Sequence, residues 1–271
     1  MPLSAPKKPR WFVAATVIGA ASLLGAVLLA RRSPWHPGRD AGLVFGILAS
    51  VIFLIEVLYP MRRRLLAWPL GNAQRWIQFH IYGGALGFLF VLIHEGPHLP
   101  IGTVGWLLLT LSIWTTASGL VGVWLQKWIP ATLSKGLELE VLYDRIPEIL
   151  LKLQEEAEAL RTGASEMLAD FYRDLVVPSL AGIHPSWSYL WDVRSGRDAR
   201  LTPFTRISSF LDPAERERLG DLRSIMVEKM ELDAHYSLQR MLRVWLALHL
   251  PPALLLFGLM LFHIWTSLAY L

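Results

Sequence analysis

The chain contains no cysteine. That absence excludes disulfides, thiolate-held iron–sulfur clusters and covalently attached c-type haem within it. Any bound metal must rest on histidine, methionine or carboxylate. Charge is also scarce. Charged residues make up 18% of the chain, against about 25% in an ordinary soluble domain. They are unevenly spread, with most of them between residues 127 and 240 and short basic clusters elsewhere. No segment alternates apolar and polar residues as a membrane barrel strand would. The charged stretch carries no glycine-rich flavin or nucleotide fingerprint. The pI of about 9.5 does not point to nucleic acid, because the excess Lys and Arg flank apolar runs, where they orient a chain in a bilayer.

Long apolar runs are present. Hydrophobic residues are 54% of the chain and the mean hydropathy is +0.40. Five runs are long enough to cross a hydrocarbon core of about 30 Å at about 1.5 Å per residue. They are Trp11–Ala30, Ala41–Pro60, Trp76–Glu95, Ile101–Leu125 and Val244–Leu271. Lipid cannot satisfy open backbone groups, so these runs should be helices. The N-terminus resembles a signal peptide in charge layout, but its apolar run is too long for one and reads as a retained span. The expected architecture is an all-α membrane protein. Spans 1–4 occupy residues 1–126, a helical insert occupies 127–240, and a fifth span at 241–271 completes the bundle.

Lys7, Lys8 and Arg10 precede the first run, and Arg62, Arg63, Arg64 and Arg75 lie between the second and third. The loop Glu95–Pro100 and the C-terminus have no basic residue, while Arg31, Arg32 and Arg39 dissent. On balance the N-terminus and the insert should be cytoplasmic and the C-terminus on the far side, in a bacterial-type inner membrane. Within the insert, Tyr143–Pro147 opens a helix expected to continue amphipathically to about Val176. Residues 178–211, with three prolines, read as loop. Asp212-Pro213-Ala214-Glu215 is a strong helix start. Nothing from there to His249 breaks the pattern, so one helix should run into the fifth span.

Four histidines lie in apolar runs: His80 and His94 in the third, His249 and His263 in the fifth. Each pair is 14 residues apart, about four turns and about 21 Å along one helix face. One span separates the two runs, so they cross the bilayer in the same direction. His80 should then match His249 in depth, and His94 should match His263. Histidines at membrane depth are costly and signal function. Two imidazoles at each depth can hold two flat haems, one per leaflet, with six-coordinate iron suited to electron transfer. The remaining histidines, His36, His98, His184 and His235, are expected at the surface. A flat cofactor against a helix needs small neighbours. Gly105 and Gly119 in the fourth run are again 14 apart, although small residues also serve plain helix contact. Arg75, Arg240 and Arg243 are candidates for anionic propionates, or for membrane anchoring. Pro251-Pro252 should kink the fifth run, aiming His249 or freeing carbonyls near a quinone. Tryptophans near span ends, Trp245 among them, read as interface anchors. Glu56 reads as an interface residue snorkelling outward rather than a proton carrier.

At these histidines the sequence resembles the dihaem b-type cytochromes. The His-x13-His pattern on two parallel spans is similar to cytochrome b of the quinol–cytochrome c reductases and to the transmembrane domain of ferric reductases and NADPH oxidases. The resemblance covers the histidine helices and, through Gly105 and Gly119, the span between them, where such glycines pack on haem. It implies two haem b groups and electron transfer. The chain departs from cytochrome b in its long insert and in lacking a Pro-Glu-Trp quinol motif. It departs from the ferric reductases in ending after the fifth run, with no flavin and nicotinamide domain. The expected function is an electron-transfer subunit of a larger redox complex. It would exchange electrons with quinone or with an iron–sulfur, flavin or cytochrome c partner docked through the insert, and would not bind nucleic acid. Two alternatives fit the same residues. One is a self-contained reductase of quinone, ferric iron or oxygen, with a site near Glu95 and His98. The other is a non-haem transporter or assembly factor.

Overall fold

The computed structural model describes residues 10–65, 73–136, 145–191 and 196–269. The described residues are helical, with no strand among them. Their contacts divide the chain into two units, Met1–Leu125 with Trp245–Leu271, and Gln126–Val244.

The first unit is built from α1 (Arg10–Ala30), α2 (Asp40–Leu65), α3 (Ala73–Glu95), the start of α4 (Gly102–Gly136) and the end of α9 (Pro213–Ala269). These five helices are long and apolar enough to cross a membrane, and they are compatible with an integral membrane protein. Large apolar side chains such as Phe12, Val17, Leu54, Leu120 and Leu255 stand on their outer faces without protein cover. A water-soluble monomer rarely exposes so much contiguous apolar surface. Lipid tails would cover it with no hydrophobic penalty.

Inside this unit α2 and α1 both pack on α3. Gly87 of α3 lies against Ile52 and Phe53 of α2, an approach that small residues permit between membrane helices. At one end, Trp35 from the α1–α2 loop is buried with Ala26, Ala49, Phe90 and Ile93. Its indole covers Gly96, which closes α3 at φ +72° and donates its N–H to the Leu92 carbonyl at 3.0 Å. Only glycine meets both demands there, a left-handed backbone and a face with no Cβ.

The second unit packs α5 (Ile146–Arg161), α6 (Glu166–Phe171), α7 (Val177–Leu180) and α8 (Arg197–Ile207) around the first half of α9. Leu153, Ala157, Leu168, Val176, Phe204 and Leu222 are fully buried in its core. Two sequence expectations are corrected here. The amphipathic run does not reach Val176 unbroken. It stops at Arg161, turns through Gly163 at φ +74° and restarts where the Ser165 hydroxyl accepts the Leu168 N–H. Residues 178–211 are not simply loop, since α8 forms across Pro203. Pro203 lies in the interior of α8, yet burial of Leu201 and Phe204 outweighs the local penalty. Pro178 is accommodated by a wider turn over Tyr172–Val176, where the Val177 N–H reaches back to the Tyr172 carbonyl.

The expected start of α9 forms. The Asp212 carboxylate accepts the Glu215 N–H at 2.8 Å, and Pro213 opens the helix. Glu215 does not close the box on Asp212, however. Its carboxylate accepts the Ser165 N–H at 2.8 Å, tying the starts of α6 and α9 together. The helix then continues without a break to Ala269.

Polar groups on α9 are buried as well. Lys229 and Asp233, each 1% exposed, pair at 2.6 Å, and Asp233 also accepts the His184 N–H at 2.9 Å. His235 is buried, contrary to the expectation that it lies at the surface. A place in the charged insert does not put it at the surface, because α9 is enclosed along most of Lys229–Leu238. His184, His36 and His98 are exposed.

Removing the Asp233 carboxylate strands a buried ammonium and a backbone N–H. Asp233→Ala should cost about 3–5 kcal/mol, read as a lowered unfolding midpoint of the detergent-solubilised protein. An unchanged midpoint would show the pair to be dispensable.

The Tyr172 hydroxyl donates to Glu158 at 2.9 Å. Burial, and then that bond, push its pKa up from 10.0 to about 12. A pKa raised in the folded state stabilises below the unfolded value and loses that contribution as pH climbs through the folded one. Stability should therefore fall between pH 10 and about 12, and Tyr172→Phe should remove that part of the alkaline loss.

Candidate functional site

The α3 helix carries His80 and His94, and the end of α9 carries His249 and His263. The structure brings them together in two couples. The ring centres of His80 and His249 are 6.3 Å apart with planes at 88°, and those of His94 and His263 are 6.5 Å apart at 76°. A metal–imidazole bond of about 2 Å, with the ring nitrogen roughly 1.1 Å from the ring centre, puts two trans imidazoles about 6.3 Å apart across one metal. Both couples lie near that separation.

The neighbouring helices act on the rings through Nδ1. His94 Nδ1 lies 2.9 Å from the Gly42 carbonyl on α2. A carbonyl only accepts, so Nδ1 carries the proton. His80 Nδ1 meets the Glu56 carboxyl group, also on α2, and an ionised carboxylate there can only accept from it. His249 Nδ1 lies 2.9 Å from the Ser118 hydroxyl on α4, which is itself 3.2 Å from the Thr115 carbonyl. If that hydroxyl spends its one proton on Thr115, it accepts from His249. With the proton on Nδ1, the coordinating role in each of these rings falls to Nε2. An outer partner that holds one ring nitrogen and turns the other toward a ligand is the usual support for a metal-binding histidine. Among the described residues the His263 ring has no hydrogen-bond partner. The position on α4 equivalent to Ser118, one 14-residue interval earlier, is Val104, which has no hydroxyl.

Glycines make room for these contacts. A Cβ on Gly46 would lie 2.6 Å from His94 Nδ1, and one on Gly83 would lie 2.8 Å from the Glu56 carboxylate. A Cβ on Gly84, one turn beyond His80, would meet nothing within 4 Å, so the α3 surface beside the ring is open. Gly119 stands against His249, with 3.6 Å from a would-be Cβ to the ring, while the nearest atoms to Gly105 belong to Pro100. Of the two glycines singled out in α4, one is thus placed at a histidine couple. Arg75, Arg240 and Arg243 are exposed on α3 and α9.

Three features escaped the sequence reading. Glu56 does not snorkel outward. Its side chain is 10% exposed and turned onto His80. The signal was available, because Gly42 and Glu56 are themselves 14 residues apart and so repeat the histidine interval on the antiparallel neighbour. Trp245 is more than an interface anchor. Its ring stacks on His249 at 5.4 Å and 19°, and its N–H donates to the Ser118 carbonyl at 2.7 Å. The carbonyl freed by Pro252 also has an occupant. Proline cannot donate to the residue four back, here Leu248, and the Trp114 N–H takes that carbonyl at 3.0 Å. The double proline therefore links α4 to α9.

Known protein families, curated proteins and solved structures offer no match to the chain.

Trp114→Phe should orphan the Leu248 carbonyl and cost about 1–3 kcal/mol, measured by thermal unfolding in detergent. Pro252→Ala in the same chain restores the in-helix donor and should recover most of the loss. Equal stability of Trp114→Phe and the parent would rule the link out.

Proposed function

We propose that this chain is a membrane b-type cytochrome carrying two bis-histidine haems, His80 with His249 and His94 with His263, that moves electrons across the bilayer. The observation that carries the reading is the pair of imidazole couples, each near the spacing of two trans ligands on one metal. With Nδ1 of His80, His94 and His249 each in contact with a neighbouring helix, ligation would fall to Nε2.

The donor set favours a macrocycle over a bare ion. Among the described residues no three His, Cys, Asp or Glu side chains converge as a mononuclear protein site requires. Two imidazoles suffice only for a metal that arrives with its own equatorial donors, as haem iron does. When bound, the haem supplies a one-electron couple at each site. The chain's part would be to hold each haem iron between two imidazoles, His80 with His249 and His94 with His263, and to surround the sites with apolar helices. Gly84 leaves open surface beside His80 for a flat ring, and Gly119 lets α4 stand against His249. Arg75 and Arg243 are assigned to the anionic propionates.

The residues fit the dihaem b-type cytochromes better than a metal-transporting histidine set, which would need further ligands at each couple. In this reading the chain is an integral inner-membrane subunit of a larger redox complex, with the insert cytoplasmic and the C-terminus opposite. The insert is a docking surface for an iron–sulfur, flavin or cytochrome c partner, and quinone is a further candidate for electron exchange.

The purified protein should show a reduced b-type α-band and bind two haems per chain. His249→Ala should remove about half of the pigment and leave the other haem in place. A colourless protein would end the haem assignment, and a His249→Ala protein with full pigment would end the pairing.

A further inference from the structure

The two histidine couples are not equivalent in what stands behind them. His80 has a carboxylate on Nδ1 and its partner His249 has a hydroxyl. His94 has a neutral backbone carbonyl, and His263 has no ring partner among the described residues. From this asymmetry we infer that Glu56 is a positioning residue for His80, one that selectively lowers the reduction potential of the His80/His249 haem. The inference rests on the two-haem reading above.

The placement of Glu56 is specific. The carboxylate lies on α2, turned inward, with one oxygen on His80 Nδ1 and the other without a hydrogen-bond partner among the described residues. The second oxygen occupies the space that the missing side chain of Gly83 leaves on α3. A carboxylate at membrane depth is costly unless something offsets it. A bis-imidazole ferric haem carries one more positive charge at its centre than the ferrous form, so a fixed negative charge nearby favours the oxidised state. The hydrogen bond acts in the same direction. As the Nδ1–H is drawn toward the carboxylate, Nε2 becomes a stronger donor to iron, and stronger donation again favours ferric over ferrous. The Gly42 carbonyl draws on His94 more weakly, because neutral acceptors form weaker hydrogen bonds than charged ones. The shared proton stays between His80 and Glu56 throughout, so the effect requires no proton transfer.

Redox titration of the haem-loaded protein, followed optically with mediators, separates the possibilities. Glu56→Gln keeps the shape and an acceptor oxygen but removes the charge. It should retain two haems and raise the potential of one, so that the reduced-to-oxidised ratio of that haem at fixed potential grows about tenfold, or about 59 mV for a one-electron couple. The second haem should not move. Gly83→Ala, which crowds the same carboxylate from the opposite side, should shift the same haem in the same direction by less. In the His249→Ala background, where only the His94/His263 haem remains, Glu56→Gln should change nothing. The inference is overturned if Glu56→Gln moves neither haem, moves both equally, or expels the haem from the His80 site. A wild-type chain that binds no haem would instead defeat the two-haem reading, a result visible before any titration.

Discussion

An imidazole N–H inside an apolar bundle needs an acceptor, and much of the first unit is arranged around that need. In a hydrocarbon core neither water nor lipid would offer one, so the acceptor would have to come from a neighbouring helix. α2 supplies two, the Gly42 carbonyl and the Glu56 carboxylate. α4 sets the Ser118 hydroxyl against a third ring. The Gly42 carbonyl fixes the tautomer of His94 as well as its ring direction. Gly46 and Gly83 follow from the same demand, because a ring or carboxylate approaches closely only where the facing residue has no side chain.

The double proline shows how one backbone vacancy is put to use. Pro252 removes the donor for the Leu248 carbonyl just beside His249. An indole from α4 replaces it, and a second indole, from α9, reaches the α4 backbone at Ser118 and stacks on the same histidine. His249 is thereby held from its own helix and from the next. The insert follows a different logic. Its core is ordinary aliphatic packing, but Lys229, Asp233 and His235 are buried with it, and burial holds the Lys229 ammonium below its usual pKa range against the opposing pull of Asp233.

Much of the fold was legible in order and kind. Five apolar runs became five helices, because lipid-length hydrophobicity admits few other structures. The Asp212–Glu215 start and the unbroken course of α9 followed from local rules of capping and periodicity. The errors lay where tertiary contact overrules local preference. α8 forms across Pro203, and His235 sits inside, because neighbouring elements pay for arrangements that a single-helix pattern disfavours.

For the candidate site, the sequence alone determined which histidines share a face and which share a depth. Both follow from helical rise and the number of crossings, which are properties of one chain segment at a time. Only the tertiary structure decided what holds each ring. Glu56 has the same composition and local periodicity whether it snorkels outward or turns onto His80. The choice depends on how α2 is rotated against α3, and that rotation is set by side-chain packing between the two helices, to which no local rule of the sequence refers.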